Sequence, residues 1–206
     1  MTDYKKPDYW QLKARREGYP ARSVYKLIEL DEKFGLFKPG RPGKPFKVLD
    51  LGASPGSWSL YMLRKFSGIA LVAVDTAPLS REFDRGLFDS VNFCFIQGDI
   101  TDPATRDSIV SKGPYDLIVS DAAPATTGSR FIDTSRSLEL AEAAASYAEA
   151  ALSVPGGCLV VKVFQGGDAS GLLNRLRSLF KTAKSYKPRA CRSASFETYY
   201  AGLGKK

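Results

Sequence analysis

Apolar residues fall into five short continuous runs: KVLDLG (47–52), IALVAVD (69–75), VNFCFIQ (91–97), YDLIVSD (115–121) and GCLVVKVF (157–164). Between them the spacing is helical over 57–67, 103–112, 133–153 and 168–180. Continuous rather than alternating runs, separated by helices, predict a parallel sheet covered on both faces. After residue 180 come two more extended stretches, 182–187 and 195–202, with no helix between them. They fit an edge hairpin carrying an antiparallel strand. Ahead of the first strand, helical spacing covers 8–17 and 22–34, and in the second Val24, Leu27, Ile28 and Leu30 share a face. A Pro/Gly-rich basic connection, 36–47, follows. The alanine-rich stretch 141–152 has the composition of a good helix. The expected architecture is α/β: a mostly parallel, seven-stranded sheet with helices on both faces and an antiparallel edge strand. Residues 1–206 are expected to form one domain, with a basic helical segment, 1–45, packed on it.

Composition narrows the chemistry. At 206 residues and 44% hydrophobic, the chain is long enough to bury a full core without disulfides or metal. It contains no histidine. That excludes Ser-His-Asp and Cys-His catalysis, an imidazole base and histidine-ligated zinc, leaving acid–base work to Lys, Asp, Glu or Tyr. Cys94, Cys158 and Cys191 are odd in number, far apart and outside any C-x-x-C, so no disulfide framework and no metal site is expected. They read as small core residues in a reducing compartment. The N-terminus has no apolar signal region and no run reaches membrane-spanning length, so a cytoplasmic protein without a membrane partner is expected.

The net charge of +8 is unevenly spread. Residues 1–47 carry twelve basic and six acidic groups, 48–174 nine and fifteen, and 175–206 nine basic groups against Glu197 alone. Two basic ends flank an acidic middle. Such a surface suits a polyanion, most commonly nucleic acid, or is simply a solvated face whose last lysines, Lys205 and Lys206, hang loose.

In an open α/β sheet, ligands bind beyond the carboxyl ends of the strands. Asp50, Asp75, Asp99 and Asp121 all fall at such ends. Any one of them would serve as a helix cap; four on one edge fit acceptors for ribose hydroxyls, an amino group or a cationic cofactor. The first strand runs into Asp50-Leu-Gly52-Ala-Ser54-Pro55-Gly56-Ser-Trp58, a G-x-x-x-G turn rather than the G-x-G-x-x-G that cradles a pyrophosphate. Asp75 follows 19 residues after Gly56, placed to hold a ribose. A nucleoside cofactor without a pyrophosphate fits both facts, and S-adenosylmethionine is the candidate; a tight turn without a ligand is the plain alternative. The expected pocket comprises Gly52, Ser54, Pro55, Gly56, Trp58, Asp75 and Asp99. Lys162 sits within an apolar strand, where an unpaired ammonium costs several kcal/mol. It either forms a buried ion pair with Asp121 or serves catalysis.

These residues carry a resemblance. ARSVYKLIEL around Lys26, DLGASPGSW, the AVD ending at Asp75, QGD ending at Asp99, SDAAP around Asp121, VVKVFQG around Lys162 and SFETYYAG around Glu197 resemble the FtsJ-type RNA ribose 2′-O-methyltransferases. The seven stretches occur in order from about residue 8 to residue 203. The likeness is strongest to the bacterial branch that methylates a uridine ribose in large-subunit ribosomal RNA. It implies a Rossmann-like S-adenosylmethionine-dependent fold, and a Lys-Asp-Lys-Glu catalytic tetrad at Lys26, Asp121, Lys162 and Glu197. It also implies cofactor contacts at Gly56, Trp58, Asp75, Asp99 and Asp121. Two positions depart from the pattern. Ser57 stands where the family often has a second glycine, and Ala125 where bacterial members commonly carry Asn, which leaves the RNA target open.

In that reading Lys162 is base or orienter, Asp121 and Glu197 fix it, and Lys26 positions the substrate. Without the resemblance, Glu197 would simply pair with Arg189 or Arg192. RNA would meet Lys5, Lys6, Lys13, Arg15, Arg16 and Arg22 from the first segment, and Lys187, Arg189 and Arg192 from the last. Tyr19, Tyr25 and Tyr199 would either stack on a base or pack in the core. The partner is then RNA, ribosomal, either naked or within the assembled large subunit, with no obligate protein partner. Transfer RNA 2′-O-methylation and a non-catalytic RNA-binding role are the alternatives; a NAD enzyme is disfavoured by the missing G-x-G-x-x-G.

Overall fold

The computed structural model describes residues 8–38, 44–166, 169–192 and 194–206. Lys5, Lys6 and part of the 36–47 connection lie outside them. Two helices lead, α1 (Tyr9–Arg16) and α2 (Val24–Phe34). The start of α1 is fixed by a capping box: Asp8 accepts from the Gln11 amide while the Gln11 side chain accepts from the Asp8 amide, each at 2.9 Å. Then follow β1 (Phe46–Leu51), α3 (Ser57–Lys65), β2 (Ile69–Asp75), β3 (Phe93–Gln97), α4 (Pro103–Ser111), β4 (Leu117–Ser120), α5 (Arg130–Ala151), β5 (Cys158–Phe164), α6 (Ala169–Leu179), β6 (Phe180–Tyr186) and β7 (Glu197–Lys205).

The strands form one sheet in the order β3-β2-β1-β4-β5-β7-β6. β1 to β5 pair in parallel, whereas β7 runs antiparallel to both β5 and β6. The expected hairpin is therefore at the edge, with its reversed strand one place in and β6 at the rim. Alternate residues of the buried strands feed two cores. Leu49, Leu51, Ile118, Leu159 and Val161 pack against Ile109 of α4, the alanines of α5 and Leu172 and Leu176 of α6. Val48, Leu117, Val119 and Val160 pack against Leu27 and Leu30 of α2 and Trp58 and Met62 of α3. The small side chains Ala141, Ala144, Ala145 and Ala148 let α5 lie close on the sheet.

The last two lysines do not hang loose. Lys205 Nζ donates to the carbonyls of Ala148 and Glu149 at the end of α5, at 2.8 and 2.7 Å. Lys206 Nζ donates to those of Arg177 and Ser178 at the end of α6, at 3.1 and 2.9 Å. A cation at a helix C-terminus meets unpaired carbonyls and the negative end of the dipole.

Strand order reverses between β1 and β4, which opens a crevice beyond their carboxyl ends. There the two following loops touch. Gly52 has φ +75°, and a Cβ at that position would lie 2.5 Å from Ala122 Cα. This close approach, with its left-handed backbone, requires glycine.

Candidate active site

Four charged side chains converge at that crevice from four elements. Lys26 lies in the first turn of α2, Asp121 directly follows β4, Lys162 is in β5 and Glu197 opens β7. Lys26 Nζ is 2.8 Å from Glu197 Oε2 and 3.9 Å from Asp121 Oδ1. Lys162 Nζ is 3.1 Å from the same Asp121 Oδ1 and donates to the Asp121 carbonyl at 2.5 Å. Lys162 and Glu197 are only 6% and 8% exposed, so these pairs are poorly screened by water. Both alternatives left open for Lys162 begin from the same contact: the ion pair with Asp121 exists, and it sits inside a larger cluster. Glu197 pairs with Lys26.

Electrostatics follow from this packing. Burial alone would push the Asp121 carboxyl up; Lys162 and Lys26, with the hydrogen bond from Tyr199, hold it below the usual range. Burial likewise pulls Lys26 down, but Asp121 and Glu197 outweigh it and its ammonium is held above the ordinary lysine value. A cation in the first turn of a helix faces the positive end of the dipole. The two carboxylates offset that.

Beside the cluster, a cleft of about 390 Å³ is lined by Gly52, Asp75, Thr76, Gly98, Asp99, Ala122 and Pro124, among others. Asp75 Oδ2 accepts from the Ser54 amide at 2.9 Å, and its Oδ1 from the Ala77 amide at 2.8 Å. Oδ1 is also approached by the Thr76 hydroxyl at 3.5 Å, whereas Oδ2 retains a second lone pair for a ligand. Asp99 is exposed in the cleft. The amide and hydroxyl of Thr101 hold its carboxyl below the usual range, so it is a charged acceptor. Gly56 has a steric reason of its own, because a Cβ there would lie 2.9 Å from Phe88 Cζ. Ser54, Pro55 and Gly56 do not line the cleft themselves; the Pro55 carbonyl accepts from the Ser80 amide at 3.0 Å.

Trp58 departs from expectation. Its side chain is 2% exposed and its indole donates to the Ser23 carbonyl at 2.7 Å, joining α3 to the start of α2. It does not line the cleft; what it can offer there is a backbone amide in the first turn of α3, where amides lack helical partners.

A larger groove of about 920 Å³ opens on the other side, lined by Arg15, Arg22, Lys26, Thr126, Gly128, Arg130, Phe164, Arg192, Phe196 and Glu197 among others. The loop after β4 divides groove from cleft: Ala122, Ala123 and Pro124 face the cleft, Thr126 and Gly128 the groove. Asp133 pins this loop, accepting from the Thr127 amide and hydroxyl at 2.8 Å each.

Of the expected RNA contacts, Arg15, Arg16, Lys187 and Arg189 are exposed. Arg15 lies 3.9 Å from Glu82, and Lys187 Nζ donates to the Ser195 carbonyl at 2.6 Å. Arg22 is engaged elsewhere: its guanidinium binds Asp8 and the Ala190 carbonyl, docking α1 on the body. Arg192 lies 4.0 Å from the same Asp8. Tyr199 cannot stack on a base, because it is wholly buried with its hydroxyl on Asp121. Tyr25 is buried too, bonded to Glu17 at 2.8 Å, and Tyr19 stands 4.9 Å from the Arg64 guanidinium. Phe164, Phe196 and Arg130 were not expected in the site.

An open, mostly parallel sheet with a cleft at its switch point and a buried charge cluster beside it fits an α/β methyltransferase. The chain belongs to the FtsJ-like methyltransferase family, whose model matches residues 19–205. It is 52% identical over 204 residues to "Ribosomal RNA large subunit methyltransferase E" of Treponema denticola, covering 98% of this chain and 97% of that one. A protein of the same name from Borreliella afzelii is 46% identical over 195 residues, covering 95% and 96%. Among solved structures, a putative ribosomal RNA methyltransferase from Plasmodium falciparum superposes with TM-score 0.71 at 27% identity, over 91% of this chain and 98% of that one. Methanococcus jannaschii fibrillarin, at 18% identity and TM-score 0.57 over 89% and 76%, shares the fold. Among the described residues no helix is long and apolar enough to cross a membrane.

Proposed function

We propose that this protein transfers a methyl group from S-adenosylmethionine to a ribose 2′-hydroxyl of large-subunit ribosomal RNA, in the cytoplasm. The observation that carries this reading is the Lys26–Asp121–Lys162–Glu197 cluster between a nucleoside-sized cleft and a basic groove. The strong likeness to proteins named for large-subunit ribosomal RNA supports the substrate.

The cleft suits the donor. Asp75 and Asp99 present carboxylate acceptors for ribose hydroxyls and an amino group, and Gly52 and Gly98 line the cleft beside them. Bound there, S-adenosylmethionine supplies an electrophilic methyl group on a sulfonium sulfur. The chain must align a hydroxyl and manage one proton. An ammonium has three N–H donors, and two of those on Lys162 are directed to Asp121. The third is free to orient the substrate hydroxyl. Asp121 holds Lys162 in place, and Glu197 holds Lys26 beside it, so that two cations are balanced by two anions. Exposed Arg15, Arg16 and Arg189 lie along the proposed path of the RNA backbone.

Labelled methyl transfer onto ribosomal RNA, assembled large subunits and transfer RNA, followed by alkaline hydrolysis, tests the reading. A 2′-O-methyl group blocks cleavage at its own linkage. Protection at one ribosomal nucleotide is expected; a methyl group on a base, or transfer only to transfer RNA, would overturn the assignment.

A further inference from the structure

Phe164 and Phe196 form an aromatic pair in the wall of the groove, with ring centroids 4.8 Å apart at 67°. Phe164 is itself buried, and neither ring is part of the two core clusters. Phe196 is half-buried, and the exposed Arg130 places its guanidinium 5.4 Å from the Phe196 ring centroid. The pair is fixed relative to the tetrad by the backbone. Phe164 is the register partner of Glu197 across β5 and β7, Phe196 immediately precedes Glu197, and the Gln165 amide bonds the Phe196 carbonyl at 2.8 Å. A flat, partly open aromatic surface therefore stands one residue from the carboxylate that holds Lys26.

We infer that Phe196, braced by Phe164 and flanked by Arg130, is a stacking subsite for the base of the RNA nucleotide whose ribose enters the tetrad. Single-stranded bases are recognised by stacking on aromatic rings and guanidinium planes. Arg130 adds a positive charge for the adjoining phosphate; among the described residues it forms no carboxylate ion pair, its polar contact being the Gln165 carbonyl at 3.5 Å. The subsite rests on the function proposed above and adds to it: the target base is unstacked from its neighbours and held, so the enzyme prefers an accessible or extruded nucleotide to one inside a stable helix.

The test uses the full chain, single-turnover methyl transfer to large-subunit ribosomal RNA, and four variants: Phe196→Ala, Phe196→Leu, Phe196→Tyr and Arg130→Ala. Leu keeps apolar bulk against Phe164 but has no π face. Phe196→Ala and Phe196→Leu are both expected to raise the RNA concentration for half-maximal rate by about ten- to a hundredfold, on the scale of one lost base stack. Phe196→Tyr should stay near wild type, Arg130→Ala should weaken RNA binding, and S-adenosylmethionine affinity should not change. An RNA carrying an abasic ribose at the methylated position should remove the difference between wild type and Phe196→Leu. If Leu restores wild-type behaviour, or the penalty persists on the abasic RNA, the pair is packing only and the subsite is wrong while the function stands. A wild-type protein that methylates no RNA takes down both.

Discussion

Tyr199 delivers its hydroxyl to Asp121 Oδ1 at 2.6 Å from a position with no solvent exposure. Asp121 Oδ1 is the same oxygen that Lys162 approaches at 3.1 Å and Lys26 at 3.9 Å. One carboxylate oxygen thus gathers a phenol and two ammonium groups. Burial, then Asp121 and Glu197, push the phenol well above the ordinary tyrosine value, so it remains a donor at any working pH.

Tyr199→Phe should therefore lower methyl transfer while leaving cofactor affinity intact. A charge-assisted hydrogen bond contributes about 1.5–3 kcal/mol. Asp121 keeps its lysines, so the protein still folds, with thermal stability reduced on that scale. Calorimetric melting and single-turnover rates measured together check this; an unchanged rate would show that Tyr199 only fills space.

Much of this candidate site is legible in the sequence. The five continuous apolar runs mark strands buried on both faces, and a lysine within one of them stands out because no ordinary surface explains it. What escaped depends on contacts between distant segments. Whether the Tyr199 hydroxyl meets RNA or Asp121 is decided by the β5–β7 register, which pairs it with Lys162. Arg22 lies in a basic segment and looks like a phosphate ligand; only the docking of α1 shows that Asp8 already claims it. Phe196 carries no local signal, since a lone aromatic ahead of a strand is as often core as surface. Its place beside Glu197 gives it meaning only once the groove exists.

Asp50 offers a pH-dependent prediction. It is fully buried, Ser59 Oγ donates to Oδ2 at 2.7 Å, and Oδ1 has no hydrogen-bond partner. Burial, opposed by the Ser59 bond and reinforced by Asp121 and Asp75, pushes its carboxyl up to about 7. An acid whose folded pKa exceeds its unfolded value of about 4 holds a proton in the folded state alone between those limits. Stability then falls as pH rises from about 4 to 7 and is flat above, the whole change reaching up to about 4 kcal/mol. Asp50→Asn mimics the neutral acid and should flatten that slope in urea unfolding of the cofactor-free protein. An unaltered slope would mean that another group carries it.

Cofactor binding should depend on Asp75 more than on Trp58. Asp75→Ala removes an acceptor and frees the Ser54 and Ala77 amides, so S-adenosylmethionine affinity should fall by about 1–3 kcal/mol in calorimetry. Trp58→Phe keeps the backbone amide and should change cofactor affinity little, while loosening the Ser23 contact and lowering the melting temperature. The reverse ranking would put the indole in the cleft.

Salt dependence separates the arginines. Replacing exposed Arg15, Arg16 and Arg189 by Glu should flatten the plot of log affinity for RNA against log salt, each lost phosphate contact removing about 0.7–0.9 from the slope. Arg22→Ala should instead lower stability, because it unfastens α1 from Asp8 and the Ala190 carbonyl. A slope unaffected by the triple reversal would move the RNA path to another face.

Lys162 is the decisive residue. It is 6% exposed and donates to both the carbonyl and the carboxylate of Asp121, and in the proposed reaction its remaining N–H meets the substrate hydroxyl. Removing a positioned base or orienter costs about 10²–10⁴-fold in rate. Lys162→Ala should therefore abolish measurable transfer. It leaves Asp121 with Lys26 and Tyr199 as partners and removes a buried ammonium, so the fold and the cofactor cleft should survive with some loss of stability. Lys162→Arg separates the two roles. A guanidinium stays charged near neutral pH and cannot take a proton, yet it can still donate to the hydroxyl from a bulkier group. If Lys162 takes the proton, the Arg variant is as inactive as the Ala variant under single-turnover conditions with both ligands saturating. If it only orients, the Arg variant keeps substantial activity and the proton leaves by another route. Near-wild-type transfer by Lys162→Ala would remove Lys162 from the chemistry altogether.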